Sequence, residues 1–179
     1  IAAAIDERTR LVLIANPNNP TSTALTRSEL RHIVAAAPED CLVVIDEAYR
    51  EFVASAAVPD AIAEFGDRPN VAVLRTLSKA YGMAGLRVGF IVAAPEVVDA
   101  VAACAIPFGV NAAGQAAAIA ALQQADEVAR RCALVSDERR RVDRRLRDRG
   151  IGVPRSHGNF WWLPAGDQAA PLASALEQR

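Results

Sequence analysis

"NVAVLRTLSKAYGMAGLRVGFIVA", residues 70–93, sets one short apolar run, "NVAVLR" (70–75), before another, "LRVGFIVA" (86–93), with a polar, glycine-punctuated stretch between them. Apolar runs of this length, bounded by turn residues, read as buried strands. Two more stand upstream, "RLVLIA" (10–15) and "CLVVID" (41–46). Helical patterns separate the runs. Thr26 occupies an N-cap position, Glu29 three residues on completes a capping box, and Leu30, Ile33 and Val34 form an apolar stripe. Pro95 suits the first turn of a helix after the fourth strand. Buried strands alternating with helices predict an α/β fold with a mainly parallel sheet flanked by helices.

Beyond Pro95 the pattern turns to long helices. "AAGQAAAIAAL" (112–122), interrupted by Gln115, reads as a buried alanine-rich helix. No apolar run approaches the roughly 18 residues that a membrane span needs. Val128, Cys132, Val135, Val142 and Leu146 recur at the spacing of one helix face. The charge run "ERRRVDRRLRDRG" (138–150), with Asp143 and Asp148 interleaved and Asp137 before it, reads as the solvated face of that helix rather than an anion-binding patch. Gly150 stands where a C-cap would. "GVP" (152–154) and "NFWWLP" (159–164) are expected to be strands of a separate, smaller unit. The predicted organisation is the C-terminal part of a large domain over 1–110, a helical connection over 111–149, and the start of a small C-terminal α/β domain over 150–179. Both ends, "IAAAIDERTR" (1–10) and "PLASALEQR" (171–179), look like helices cut short, so the chain reads as a fragment.

The 179 residues are 52% hydrophobic and 23% charged, with a formal net charge of −1. That is an ordinary soluble globular profile, and it offers no electrostatic reason for a nucleic-acid partner. Cys41, Cys104 and Cys132 are odd in number, far apart and in no metal-binding spacing, so they read as reduced thiols of a cytoplasmic protein.

In a parallel α/β sheet, function gathers at the carboxyl ends of the strands. Asn16–Thr21 follow the first strand, Asp46 and Tyr49 the second, and Thr76–Lys79 the third, while Arg87 opens the fourth. Of the 20 basic residues 19 are arginine, and the single lysine is Lys79. Of the two basic side chains only the lysine amine can form an imine with a carbonyl, since a guanidinium stays protonated. The carbonyl would be a substrate's or that of pyridoxal phosphate. A pyridoxal site needs a carboxylate for the ring nitrogen, donors for the phenolic oxygen, and a cationic, hydroxyl-lined cup for the phosphate. A substrate carbonyl alone would explain Lys79 but not Asp46, Tyr49, Ser78 and Arg87 around it.

"NPNNPT" (16–21), "VVIDEAYREF" (43–52) and "RTLSKAYGMAGLRVGF" (75–90), in this order, resemble the fold-type-I pyridoxal-phosphate aminotransferases, in their histidinol-phosphate and aromatic-amino-acid branch. The resemblance implies that Asn19 and Tyr49 reach the cofactor's phenolic oxygen and that Asp46 pairs with its ring nitrogen. It implies that Lys79 holds the cofactor covalently, while Ser78, Thr76 and Arg87 hold its phosphate. It also implies a homodimer acting on an amino acid and a 2-oxo acid, 2-oxoglutarate above all. "EFGDRPNVAVLRT" (64–76), "IPFGVN" (106–111) and "GNFWWLP" (158–164) look more like aromatic aminotransferases of the actinobacterial type. Asn111 and Asn159 resemble positions near the family's site, with a helix cap and a strand-end turn as the alternatives.

Ser22 stands where the family usually has glycine, and Met83 where leucine is commoner. A phosphate-binding glycine loop, a ring to stack on the cofactor and an arginine for the substrate carboxylate have no match in the chain. Two other activities remain open on these motifs: a decarboxylase resembling the threonine-phosphate enzyme, and an aminotransferase-like effector domain of a transcription regulator.

Overall fold

The computed structural model describes residues 1–178. Strands β1 (Leu11–Ala15), β2 (Leu42–Asp46), β3 (Val71–Thr76) and β4 (Gly89–Val92) form one sheet in that order. The first three are parallel, with Ala15 opposite Asp46 and Asp46 opposite Leu74. The fourth is antiparallel to the third, with Gly89 opposite Thr76. This reversal explains why a residue at the start of the fourth strand shares an edge with the ends of the other three.

Helices α1 (Arg27–Ala36) and α2 (Ala61–Phe65) cover one face of the sheet. Leu30, Ile33 and Val34 pack there with Val12, Ile14, Val43, Ile45, Val71 and Val73. The capping box of α1 is present: the Thr26 N–H donates to Glu29 Oε2 at 2.7 Å, and Glu29 N–H donates to Thr26 Oγ1 at 3.4 Å. The opposite face of β1 is open, and Leu13 is 70% exposed there. The expectation of a fully buried run is therefore met on one face only, because helices cover that face alone.

Pro95 opens α3 (Pro95–Cys104), which is followed by α4 (Ala112–Leu122), α5 (Ala125–Asp148) and α6 (Ala169–Glu177). Four expectations are corrected here. The alanine-rich segment is a helix, α4, but only Gly114 in it is buried, since little among the described residues covers its other side chains. "GVP" and "NFWWLP" form no strand among the described residues. An extended segment becomes a strand only where a neighbour completes its ladder of hydrogen bonds. The opening run is helical only over the single 3₁₀ turn Ala2–Ala4. Lastly, Arg139, read as part of a solvated face, is buried. Its Nη1 donates to the Gly158 carbonyl at 2.7 Å and its Nη2 to that of Phe52 at 3.0 Å, pinning α5 to the turn after β2. The other arginines of the run behave as expected, with Arg140 paired to Asp137 and Arg141 to Glu138 at the surface. The helix at the chain's end matches the reading of "PLASALEQR", of which Arg179 lies outside the described residues.

Cys132, Tyr49, Phe52 and Ala80 form a second small core, backed by Val128, Val135 and Phe160. Cys41 and Cys132 are buried, Cys104 is exposed, and all three are free thiols. Among the described residues no helix is long and apolar enough to cross a membrane.

Candidate active site

Asp46 is the last residue of β2, and its backbone carbonyl accepts the Asn16 N–H at 2.9 Å, so the first two strand ends are tied. Its side chain points out of the sheet edge, where Oδ1 accepts the Ala48 N–H at 3.0 Å. After β3 the chain turns tightly. Thr76 Oγ1 donates to the Val88 carbonyl at 3.3 Å and accepts the Ser78 N–H at 3.1 Å. Leu77, fully buried, anchors the turn through its N–H to the Val88 carbonyl at 3.0 Å. These bonds lift Ser78 and Lys79 onto the rim. Arg87 has a left-handed backbone, φ 56°, and curls back so that Nη1 donates to the Ala84 carbonyl at 2.8 Å and approaches Ser78 Oγ at 3.5 Å. At Gly89 a Cβ would lie 2.9 Å from the Arg75 carbonyl, so glycine lets β4 start flush against Thr76.

A cleft of about 550 Å³ opens between these ends, lined by Asp46, Thr76, Ser78, Lys79, Arg87 and Phe90. Five of the seven residues singled out from the sequence therefore share one cavity. Asn19 and Tyr49 do not line it; they join it through Lys79. The Asn19 amide donates to the Tyr49 hydroxyl at 3.0 Å, and Lys79 Nζ lies 5.2 Å from the centre of the Tyr49 ring. Lys79 makes no ion pair among the described residues, although Asp46 lines the same cleft. Thr76 spends its hydroxyl on the turn rather than leaving it free for a ligand.

Ser22 adopts the left-handed backbone, φ 62°, that the resemblance assigns to a glycine, and it is fully buried. Asn111 is a helix cap: its Oδ1 accepts the Gly114 N–H at 2.8 Å at the start of α4. Asn159 is exposed at a bend, not at a strand end.

Beneath the cleft lies a group that the sequence reading passed over. Glu47, with no exposed surface, accepts from Arg75 Nε at 2.9 Å and lies 2.6 Å from its Nη2. The other carboxylate oxygen accepts the Ala61 N–H at 3.0 Å, and Arg75 also meets Asp60 at 3.0 Å. Burial pushes the Glu47 carboxyl above its ordinary range, against the pull of the Arg75 guanidinium. Glu47 follows Asp46 and Arg75 precedes Thr76, so this buried pair fixes the two strand ends that carry the cleft. An arginine inside an apolar strand was the available signal, because a charge there needs a buried partner.

A family model described as "Aminotransferase class I and II" matches residues 1–179. The aromatic amino acid aminotransferase of Thermobifida fusca is 50% identical over 178 residues, which are 99% of this chain and 50% of that protein. That of Rhodococcus jostii is 51% identical over 173 residues, 97% of this chain and 48% of the relative. Among solved structures, histidinol-phosphate aminotransferase from Sinorhizobium meliloti in complex with pyridoxal-5'-phosphate superposes with a TM-score of 0.76 at 37% identity, covering 84% of this chain and 41% of that one. The corresponding enzyme from Clostridium acetobutylicum gives 0.75 at 27% identity, covering 84% and 46%. The chain spans about half the length of the curated relatives it matches. With its fold shared and its full length matched by the family model, this chain belongs to the aminotransferase class I and II family.

Proposed function

We propose that the protein containing this chain is a pyridoxal-phosphate-dependent aminotransferase that moves the amino group of an aromatic amino acid to a 2-oxo acid, 2-oxoglutarate being the expected acceptor. The observation that carries the proposal is Lys79, the sole lysine, standing without an ion pair among the described residues in the cleft that Asp46 also lines. The donor set fits the cofactor: a primary amine, a strand-end carboxylate, a hydroxyl beside a guanidinium, and an amide paired with a phenol. Bound pyridoxal phosphate would supply a carbonyl carbon for the lysine and a ring that draws electrons from the substrate's α-carbon.

The residues then divide the work. The Lys79 amine would hold the cofactor at its carbonyl carbon, and once an amino donor takes its place there, the free Nζ would carry the proton from the substrate's α-carbon to that carbon. The Asp46 carboxylate keeps the ring nitrogen protonated. Asn19 and Tyr49 donate to the phenolic oxygen. Ser78 and Arg87 bind the phosphate, with Thr76 shaping the turn that presents them.

The names of the relatives at about 50% identity favour an aromatic donor over histidinol phosphate. The protein works as a homodimer in the cytoplasm, with the small domain beginning near residue 150. Side chains such as Phe108, 99% exposed, support a covering partner. Half-reactions of the full-length protein with phenylalanine, tyrosine and histidinol phosphate test the donor, and the two aromatic acids are expected to react fastest. Lys79→Ala is expected to remove the visible absorbance of bound cofactor and to slow turnover by at least about 10²-fold. An unchanged spectrum in that variant overturns the assignment of Lys79.

A further inference from the structure

Loop 16–23 and segment 156–160 meet at Ser22, with 134 residues separating Ser22 from Ser156. The Ser22 carbonyl accepts the His157 N–H at 2.7 Å. Its hydroxyl lies 2.6 Å from Ser156 Oγ, 3.1 Å from the Phe160 carbonyl and 3.4 Å from the Gly158 nitrogen. Ser156 Oγ is closer to that carbonyl, at 2.7 Å. Each hydroxyl has one proton to give, which orders the set. Ser156 donates to the Phe160 carbonyl, Ser22 donates to Ser156, and the Gly158 N–H donates to Ser22. Every oxygen in the relay is then satisfied, and the bend at 158–160 is closed by two buried side chains. Arg139 grips the same bend from α5.

The bend places an aromatic ring. A Cβ at Gly158 would come within 3.0 Å of the Phe160 ring, so the ring folds back over glycine and meets Tyr49 edge-on, with centres 5.1 Å apart at 69°. Tyr49 is tied at its other end to Asn19, three residues before Ser22. The circuit closes through Ser22, Ser156, Phe160, Tyr49 and Asn19, and Lys79 Nζ faces the ring that it encloses.

We propose that Ser22 is a positioning residue of the site, whose hydroxyl locks the 156–160 bend so that Phe160 and Asn19 together fix the Tyr49 ring beside Lys79. The inference rests on the reading that Tyr49 and Lys79 serve bound pyridoxal phosphate. A glycine would take the left-handed backbone with less strain but would leave Ser156 Oγ without its donor and the Gly158 N–H without its acceptor. The serine accepts backbone strain in exchange for the lock.

Two variants of the full-length protein separate strain from lock. Ser22→Ala keeps the Cβ and loses the hydroxyl; Ser22→Gly loses both. Amide exchange at Gly158, read without cofactor, is expected to speed up about tenfold in each. With cofactor bound, both variants are expected to raise the pH midpoint of the visible-absorbance change by about one unit, because hydrogen bonds donated to the ring oxygen favour its anionic form. The thermal midpoints should differ, with the glycine variant the more stable. If the pH midpoint follows thermal stability instead, so that glycine behaves as wild type and alanine does not, the lock is only structural and the inference is overturned. A normal wild-type spectrum with unshifted variants overturns it as well. A wild-type protein that binds no cofactor overturns the reading beneath it, and the inference falls with it.

Discussion

The sheet half of the molecule and its helical half use apolar residues in opposite ways. Among the described residues, every buried hydrophobic side chain except Cys132 precedes Ala84. Later in the chain, Val101, Ile106, Phe108, Ile119 and Leu122 stand exposed. Up to β4 the apolar faces meet one another within the chain, the open face of β1 excepted: α1 and α2 lie on one face of β1–β3, and the turns after β2 and β3 lie on α5. In α3, α4 and α6 the helices form, yet almost nothing covers them. Local propensity sets where a helix can form, but helices this short draw most of their stability from packing an apolar face on a second surface.

The sharpest break of this contrast is at Arg75. Arg75→Ala leaves the Glu47 carboxylate buried without its partner and is expected to cost about 3–5 kcal/mol of unfolding free energy, read by urea denaturation. A loss below about 1 kcal/mol would mean that the sheet half does not depend on this pair. Leu30→Ala, in the fully buried stripe of α1, should cost about 2–5 kcal/mol by the same measurement.

His157 gives a weaker, pH-dependent effect. Burial, with Arg155 and Arg139 nearby, holds its pKa below the ordinary 6.5. The unfolded chain therefore binds the proton more readily than the folded one. Its contribution to stability is whole above pH 6.5 and is lost as the pH falls from there through the lowered folded value. His157→Gln should flatten the fall in urea midpoint between about pH 7.5 and about pH 5.5. Leu122→Ala, on uncovered α4, is expected to change the stability of the 179-residue chain by less than about 0.5 kcal/mol. A larger loss would show that α4 is covered in solution.

What could be read from the sequence follows the same divide. The strand positions, the Thr26–Glu29 capping box, Pro95 at a helix start and the Asp46–Thr76–Lys79–Arg87 cleft all rest on short-range patterns. The exposure of α4 and the absence of pairing in "NFWWLP" depend on surfaces far away in sequence, so periodicity could not decide them. Arg139 was hidden by company: among eight arginines between residues 139 and 155, one turns inward to backbone carbonyls, and composition gives no sign of which. Ser22 was legible as a departure from a glycine, but its partners lie more than 130 residues downstream.

The reversed direction of β4 has a consequence for the order in which the site can form. Thr76 pairs with Gly89 across a short loop, so Ser78, Lys79 and Arg87 are brought together by closing a local segment. Loop-closure entropy makes such a step cheap and fast compared with joining distant segments. The Asn19–Tyr49 side must wait for partners 30 residues apart, and the Ser22–Ser156 lock for partners 134 apart. Pulsed hydrogen exchange during refolding should therefore find the Leu77 amide protected before that of Gly158. The lysine's arm of the cleft is a hairpin assembled early, and the wall facing it is the last to arrive.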